Sequence, residues 1–170
     1  MFNLKRSVLT AGVVAVAALA SFSMPAQAAG GGGVGIDNLT ISPSASLVAK
    51  LAVNLTITYT CRPVFDPSTN TFDVHMSSSA FVSVEERTGH SVANGSGIAN
   101  GTAFCDEFLN PTPTVNTITV LVQPTTFPTL SGPFKNGTAL ASTSVVACPT
   151  SFFPLPCDFG NAGPSIISIK

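Results

Sequence analysis

Few residues in this chain can do chemistry, and their spacing limits what that chemistry could be. Nucleophilic hydrolysis needs a Ser or Cys beside a base that a third group orients. Only His75 and His90 offer an imidazole. His75 stands in Phe72-Asp73-Val74-His75-Met76, where Asp73 shares its face of an extended chain. His90 stands in Thr88-Gly89-His90-Ser91, a turn sequence. No Gly-x-Ser-x-Gly elbow leads into a helical segment, and both histidines read as surface residues. Paired carboxylates can run glycoside hydrolysis. Glu85-Glu86 are neighbours in a strand-like run, so they point to opposite faces. Asp106-Glu107 could converge in a loop, although a solvated turn is the plainer expectation. Asp37, Asp66, Asp73 and Asp158 are scattered and lack calcium-loop spacing. Gly30 to Gly35 has no Lys-Ser/Thr after it, so it is not a phosphate-binding loop. No catalytic, metal or cofactor-binding residue is assigned, and the chain reads as a non-enzyme.

The remaining reactive residues are Cys61, Cys105, Cys148 and Cys157. An even count in an exported chain reads as two disulfides, with three pairings possible. The favoured set is Cys61–Cys105 and Cys148–Cys157, the second bracketing a short Pro-rich segment. Closing a loop of about 45 residues stabilises by roughly 4 kcal/mol, and one of about 10 by roughly 2.7 kcal/mol. Zinc is disfavoured because no two cysteines lie two to four residues apart.

Export is read from the start of the chain. Lys5 and Arg6 precede an apolar run from Val8 to Ala20, and Ala26-Gln27-Ala28 fits a signal peptidase site. The run is shorter than the roughly 20 apolar residues of a spanning helix. Residues 1–28 are therefore expected to be a signal peptide, 29–35 a Gly-rich flexible leader, and 36–170 one domain. No transmembrane segment is expected in the mature chain. Five basic residues remain after cleavage (Lys50, Arg62, Arg87, Lys135, Lys170), too few and too scattered for nucleic acid.

The elements that must position all this are short β runs between turn signals. Ala52 to Cys61 is the clearest: Val53, Leu55, Ile57, Tyr59 and Cys61 alternate with Asn and Thr. Further strands are expected at Ile36 to Ile41, Phe81 to Glu86, around Gly101 to Cys105, Val115 to Val122, Thr138 to Cys148 and Ser165 to Ile169. Asp66 to Asn70 reads as a loop. Asn94-Gly95, Asn100-Gly101 and Asn136-Gly137 read as turns with positive φ. The Asn-x-Ser/Thr sequons at Asn38, Asn54, Asn94, Asn100 and Asn136 read as incidental in a bacterial secretory context. The expected fold is all-β: a disulfide-bonded, immunoglobulin-like antiparallel β-sandwich of seven or eight strands, with a barrel as the alternative.

Three stretches carry a resemblance. They are Tyr59-Thr60-Cys61, the Gly95-Ser96-Gly97 stretch leading to Ala103-Phe104-Cys105-Asp106, and Phe134-Lys135-Asn136-Gly137-Thr138-Ala139. Together they resemble small secreted actinobacterial proteins of unknown function. That resemblance implies an immunoglobulin-type sandwich with an early and a middle Cys joined, and it implies no activity. The Arg62 to Ser79 insert and the Cys148/Cys157 clip depart from the pattern. The ending from Asp158 to Ile169 is similar to that of the antibiotic-carrying apoproteins of actinomycetes, which implies a carrier role as an alternative.

The expected function is a secreted, non-enzymatic binding or structural module with an extracellular or cell-envelope partner. A small apolar ligand carrier and a secreted hydrolase are the alternatives. With no Trp and with Tyr59 on the inward face, a saccharide platform is disfavoured. Phe152-Phe153, held between Pro149 and Pro154 inside the clip, either folds back as a small loop core or displays a contact loop, and it is the best contact candidate in the sequence. Exposed edge strands could pair copies, although nothing in the sequence specifies it.

Overall fold

The computed structural model describes residues 35–49, 51–89, 91–125, 131–150 and 157–170. The expected signal peptide and most of the expected Gly-rich leader, together with His90 and Phe152-Phe153, lie outside the described residues. The described chain is all-β, in the order β1 (Ile36–Ile41), β2 (Ser44–Val48), β3 (Ala52–Cys61), β4 (Val64–Asp66), β5 (Thr71–Asp73), β6 (His75–Thr88), β7 (Ser91–Phe104), β8 (Asn116–Pro124), β9 (Gly137–Pro149) and β10 (Asp158–Ile169). No helix among the described residues is long and apolar enough to cross a membrane.

Alternation drives the packing. Val53, Leu55, Ile57, Tyr59 and Cys61 all turn inward from β3 and are almost fully buried. Ile118, Val120 and Val122 do the same from β8, and Ala141, Val145 and Ala147 from β9. Their outward neighbours are mainly Thr, Ser and Asn, as a half-solvated pleat requires. On β3 and its neighbours the outward hydroxyls pair across strands, Thr40 with Thr58 at 2.6 Å and Thr56 with Thr119 at 3.4 Å.

Strand order in the large sheet is β1-β3-β2-β10-β9-β6-β7-β8, and β3 also pairs β8, so the ladder closes on itself. Beside β3, the chain jogs at Ser42-Pro43 between β1 and β2. β1 covers the Cys61 half of β3, while β2 covers its start and also runs parallel to β10. Pro43 cannot donate to a ladder, but its carbonyl accepts the Ser168 N–H at 2.9 Å. The sheet is therefore mixed rather than wholly antiparallel, and the chain has more strands than the seven or eight expected. The additions are short ones: β2, and the hairpin β4–β5 that forms its own two-stranded sheet.

Two of the expected Asn-Gly turns fall elsewhere. Asn94-Gly95 and Asn100-Gly101 lie inside β7, and none of the three pairs has positive φ. The reason at Gly95 and Gly97 is close approach. A Cβ on Gly97 would sit 2.3 Å from the Leu121 carbonyl oxygen of β8, and one on Gly95 would meet the Gln123 carbonyl oxygen and the Phe134 ring. The β6–β7 turn falls instead at Gly89, with φ 62°. On β10 the register shifts between Ala162 and Ser165, so inward residues change from Asp158, Gly160 and Ala162 to Ile167 and Ile169.

Candidate functional site

Both disulfides form as expected, Cys61–Cys105 with Cα atoms 4.6 Å apart and Cys148–Cys157 at 4.3 Å. Strand register brings them to one end of the molecule. Cys61 lies opposite Ile36, Phe104 opposite His75, and Cys148 opposite Ser77. The unusual side chains of the chain gather at this disulfide end.

Asn116 fixes its framework. The buried amide accepts the Phe104 N–H at 2.8 Å and donates to the Phe104 carbonyl at 3.0 Å, in place of a strand partner. The Cys105 N–H donates to Val74, and the Glu107 N–H to Cys61. Two loops then project. In the first, residues 106–115, the Asp106 carboxylate accepts from the Thr114 N–H (2.7 Å), the Thr114 hydroxyl (3.0 Å) and the Asn110 amide (3.2 Å). The Thr114 N–H leads in holding that carboxyl below its usual range, with further help from the Thr114 hydroxyl and Asn110 against the opposing effect of burial. Asp106 is thus a buried loop clasp rather than a solvated turn residue, and it does not converge with Glu107. The second projection is the β4–β5 hairpin. Asp66 clasps its turn by accepting the N–H and hydroxyl of Ser68 at 2.8 and 2.6 Å, and Asn70 takes the positive φ.

These loops carry aromatic rings outward. Phe65 and Phe72 face each other across β4–β5 with centroids 5.4 Å apart, and Phe72 meets Phe108 of the first loop at 5.9 Å, both edge to face. They remain 47%, 43% and 61% exposed, although each is large and apolar. Leu109 and Val115 in the first loop are exposed as well. Ring contact this close gives a raised apolar patch and leaves no slot between the rings. His75 is exposed, its ring packs edge-on to Phe104 at 5.2 Å, and Asp73 accepts its backbone N–H. The Thr150 hydroxyl donates to the His75 carbonyl at 3.3 Å, so the Cys148–Cys157 clip also starts at this end.

At the same end, carboxylates gather around Arg62. Arg62 Nη2 contacts Asp37 Oδ2 at 2.8 Å, a close ion contact without hydrogen-bond alignment. Burial raises the Glu107 carboxyl, and the Asp37 charge and a side-chain hydrogen bond with Asp37 add to this; Arg62 and Thr60 oppose it. Asp158 is fully buried and neither of its oxygens has a hydrogen-bond partner. That burial pushes its pKa up to about 7, with Asp37 adding and Arg62 opposing. Among the described residues, no group of three His, Cys, Asp or Glu is arranged to hold a metal ion.

The Asp37–Arg62–Glu107–Asp158 cluster escaped sequence reading because its members come from four distant segments. The aromatic patch had a readable signal: Phe65 and Phe72 stand at opposite feet of the Asp66 to Asn70 turn. Glu85 and Glu86 do point to opposite faces. Glu86 is buried and accepts the Lys135 N–H at 2.9 Å, while Glu85 contacts Arg87 at 3.5 Å. A hollow of about 430 Å³ between β2, β3 and β8 is lined by Ser42, Ser44, Ser46, Asn54, Thr56 and Lys170 among others. Its polar lining does not favour an apolar ligand.

Comparison with protein-family models, with curated proteins and with solved structures returns no match to this chain.

Proposed function

We propose that the chain is an exported, disulfide-bonded, immunoglobulin-like module that works by contact rather than turnover, and that its contact surface is the disulfide end. The observation that carries this reading is the Phe65–Phe72–Phe108 patch. Three large rings stand about half exposed on loops that a disulfide and two carboxylate clasps hold in place. A rigid apolar display of this kind marks an interaction site, because exposure forfeits stabilisation that burial would have given. Two disulfides fit an oxidising, extracellular compartment. The immunoglobulin-like reading, shared with the small secreted actinobacterial proteins that the chain resembles, is supported by the way β1 and β2 split along β3, with β2 running parallel to the last strand.

The test is co-sedimentation of the purified protein with envelopes of cells that export it, comparing wild type with the Phe72→Ser/Phe108→Ser variant. Wild type should bind, and the variant should bind at least tenfold more weakly while melting at a similar temperature. Equal binding by both would remove the disulfide end as the contact surface. Native mass spectrometry of protein taken from the medium should show two disulfides and any bound partner.

A further inference from the structure

Charge is divided between the two ends of the molecule. Every acidic residue except Glu85 and Glu86 lies at the disulfide end, where Arg62, paired with Asp37, is the one Lys or Arg among the described residues; Asp66, Asp106 and Asp158 are buried there, and Asp73 and Glu107 are partly exposed. The opposite end is formed by the β2–β3 turn, the β6–β7 turn, the start of β9 and the last residue. It carries Arg87, Lys135 and Lys170, and Lys50 stands in sequence between Ala49 and Leu51. Glu85 there is paired with Arg87 and Glu86 is buried, so the exposed Lys135 and Lys170 give that surface its positive charge. This basic end also shows apolar side chains: Leu51 is 57% exposed, and Val92, paired with Arg87, is 42% exposed.

We propose that the acidic aromatic end docks the basic end of a second copy of this chain, so that copies add head to tail. The inference rests on reading the disulfide end as the contact surface, and it names the partner. Charge decides the orientation. Two acidic ends brought together would juxtapose like charges around the rings, whereas acidic against basic brings opposite charges together. Exposed Phe rings accept Lys and Arg over their faces, and Leu51 and Val92 offer apolar area to the same rings. The two surfaces lie at opposite poles of one elongated ladder. A contact between unlike poles does not close on itself, so assembly is open-ended.

The experiment is sedimentation velocity on the purified protein alone, over a range of concentrations in low and high salt. One variant breaks the acidic end (Phe72→Ser/Phe108→Ser) and another the basic end (Arg87→Glu/Lys170→Glu). All four positions are on the surface, and melting curves check that both variants fold. The wild type should grow past dimer as concentration rises, with apparent affinity falling about tenfold or more between low and high salt. Each variant should be monomeric alone, yet a mixture of the two should form a one-to-one heterodimer and nothing larger, since each supplies the surface the other lacks. A wild type that stays monomeric overturns the proposal, as does a mixture that remains monomeric. So does a wild-type dimer that grows no further and that the acidic-end variant abolishes, which would mean that like ends meet. Self-association is read without envelopes, so its failure beside intact Phe-dependent envelope binding would leave the contact-surface reading standing.

Discussion

The two ends of this ladder are built by different means. At the basic end the β2–β3 and β6–β7 returns are short, Gly89 turning β6 into β7, and Gly95 and Gly97 let β7 cross β8 at close range, while the longer β8–β9 connection is tied back where Ser131 Oγ accepts the Asn94 N–H at 2.6 Å. Its one deeply placed charge, Glu86, is matched to the Lys135 N–H. At the acidic end several segments leave the sheet, and side chains or covalent bonds hold them: two disulfides, the Asn116 amide, and the Asp66 and Asp106 clasps. That end also keeps a buried carboxyl with no partner and three rings in water. One end economises on unsatisfied groups and the other tolerates them. Such tolerance collects where a surface is kept for contact.

The comparison can be broken most forcefully at the disulfide. Cys61→Ala/Cys105→Ala should cost about 4 kcal/mol, read as a lower denaturant midpoint, because it frees a loop of 44 residues. A loss under about 1 kcal/mol would mean that the clasps alone hold the acidic end. Asp158 should give the next effect, and it depends on pH. Its folded pKa, near 7, is raised above the unfolded value of 3.8. Its contribution is therefore fully present below pH 3.8 and is lost as pH rises to about 7, a decline of up to about 4 kcal/mol. Asp158→Asn should flatten this decline in urea titrations at pH 5 and pH 8 and raise stability at the higher pH. An unchanged slope would show that the carboxyl is solvated after all. At the basic end, Glu86→Ala should cost about 1–3 kcal/mol by stranding the Lys135 N–H. Thermal unfolding measures this, and a neutral result would blur the contrast between the ends. Smallest of all, Phe108→Ser should change stability by no more than about 0.5 kcal/mol, since the ring is mostly in water.

How much of this was legible in the sequence follows from locality. The β3 alternation could be read directly because residue type fixes it over a short span, and the favoured one of three possible cysteine pairings formed, its Cys148–Cys157 half bridging only 9 residues against 44 for Cys61–Cys105. β2 and the β4–β5 hairpin were not, since each is too short for a period and gets its partners from distant strands. Asn94-Gly95 and Asn100-Gly101 looked like turns because that dipeptide favours them. Instead the long pairing of β6 with both β7 and β9 holds the chain extended there, and β8 demands a residue without Cβ at Gly95 and Gly97. The expected contact loop at Phe152-Phe153 lies outside the described residues, and its flank at Thr150 is anchored to the acidic end. The acidic cluster depends on Asp37, Arg62, Glu107 and Asp158 meeting across the closure of the ladder, which no local pattern encodes.

That closure has a consequence for aggregation. Because β3 pairs β2 on one side and β8 on the other, seven strands form a circuit, although it is joined at β7–β8 and β2–β10 by only two residue pairs each, and β1 stands outside it. A sheet that ends offers a row of free amides and carbonyls on which a misfolded strand can grow into a fibril. The circuit shortens that template, leaving it mainly to β1 and to the unpaired lengths of β7 and β8. Fibril growth on this fold would therefore have to start from those short edges, which end-to-end packing of copies would leave untouched.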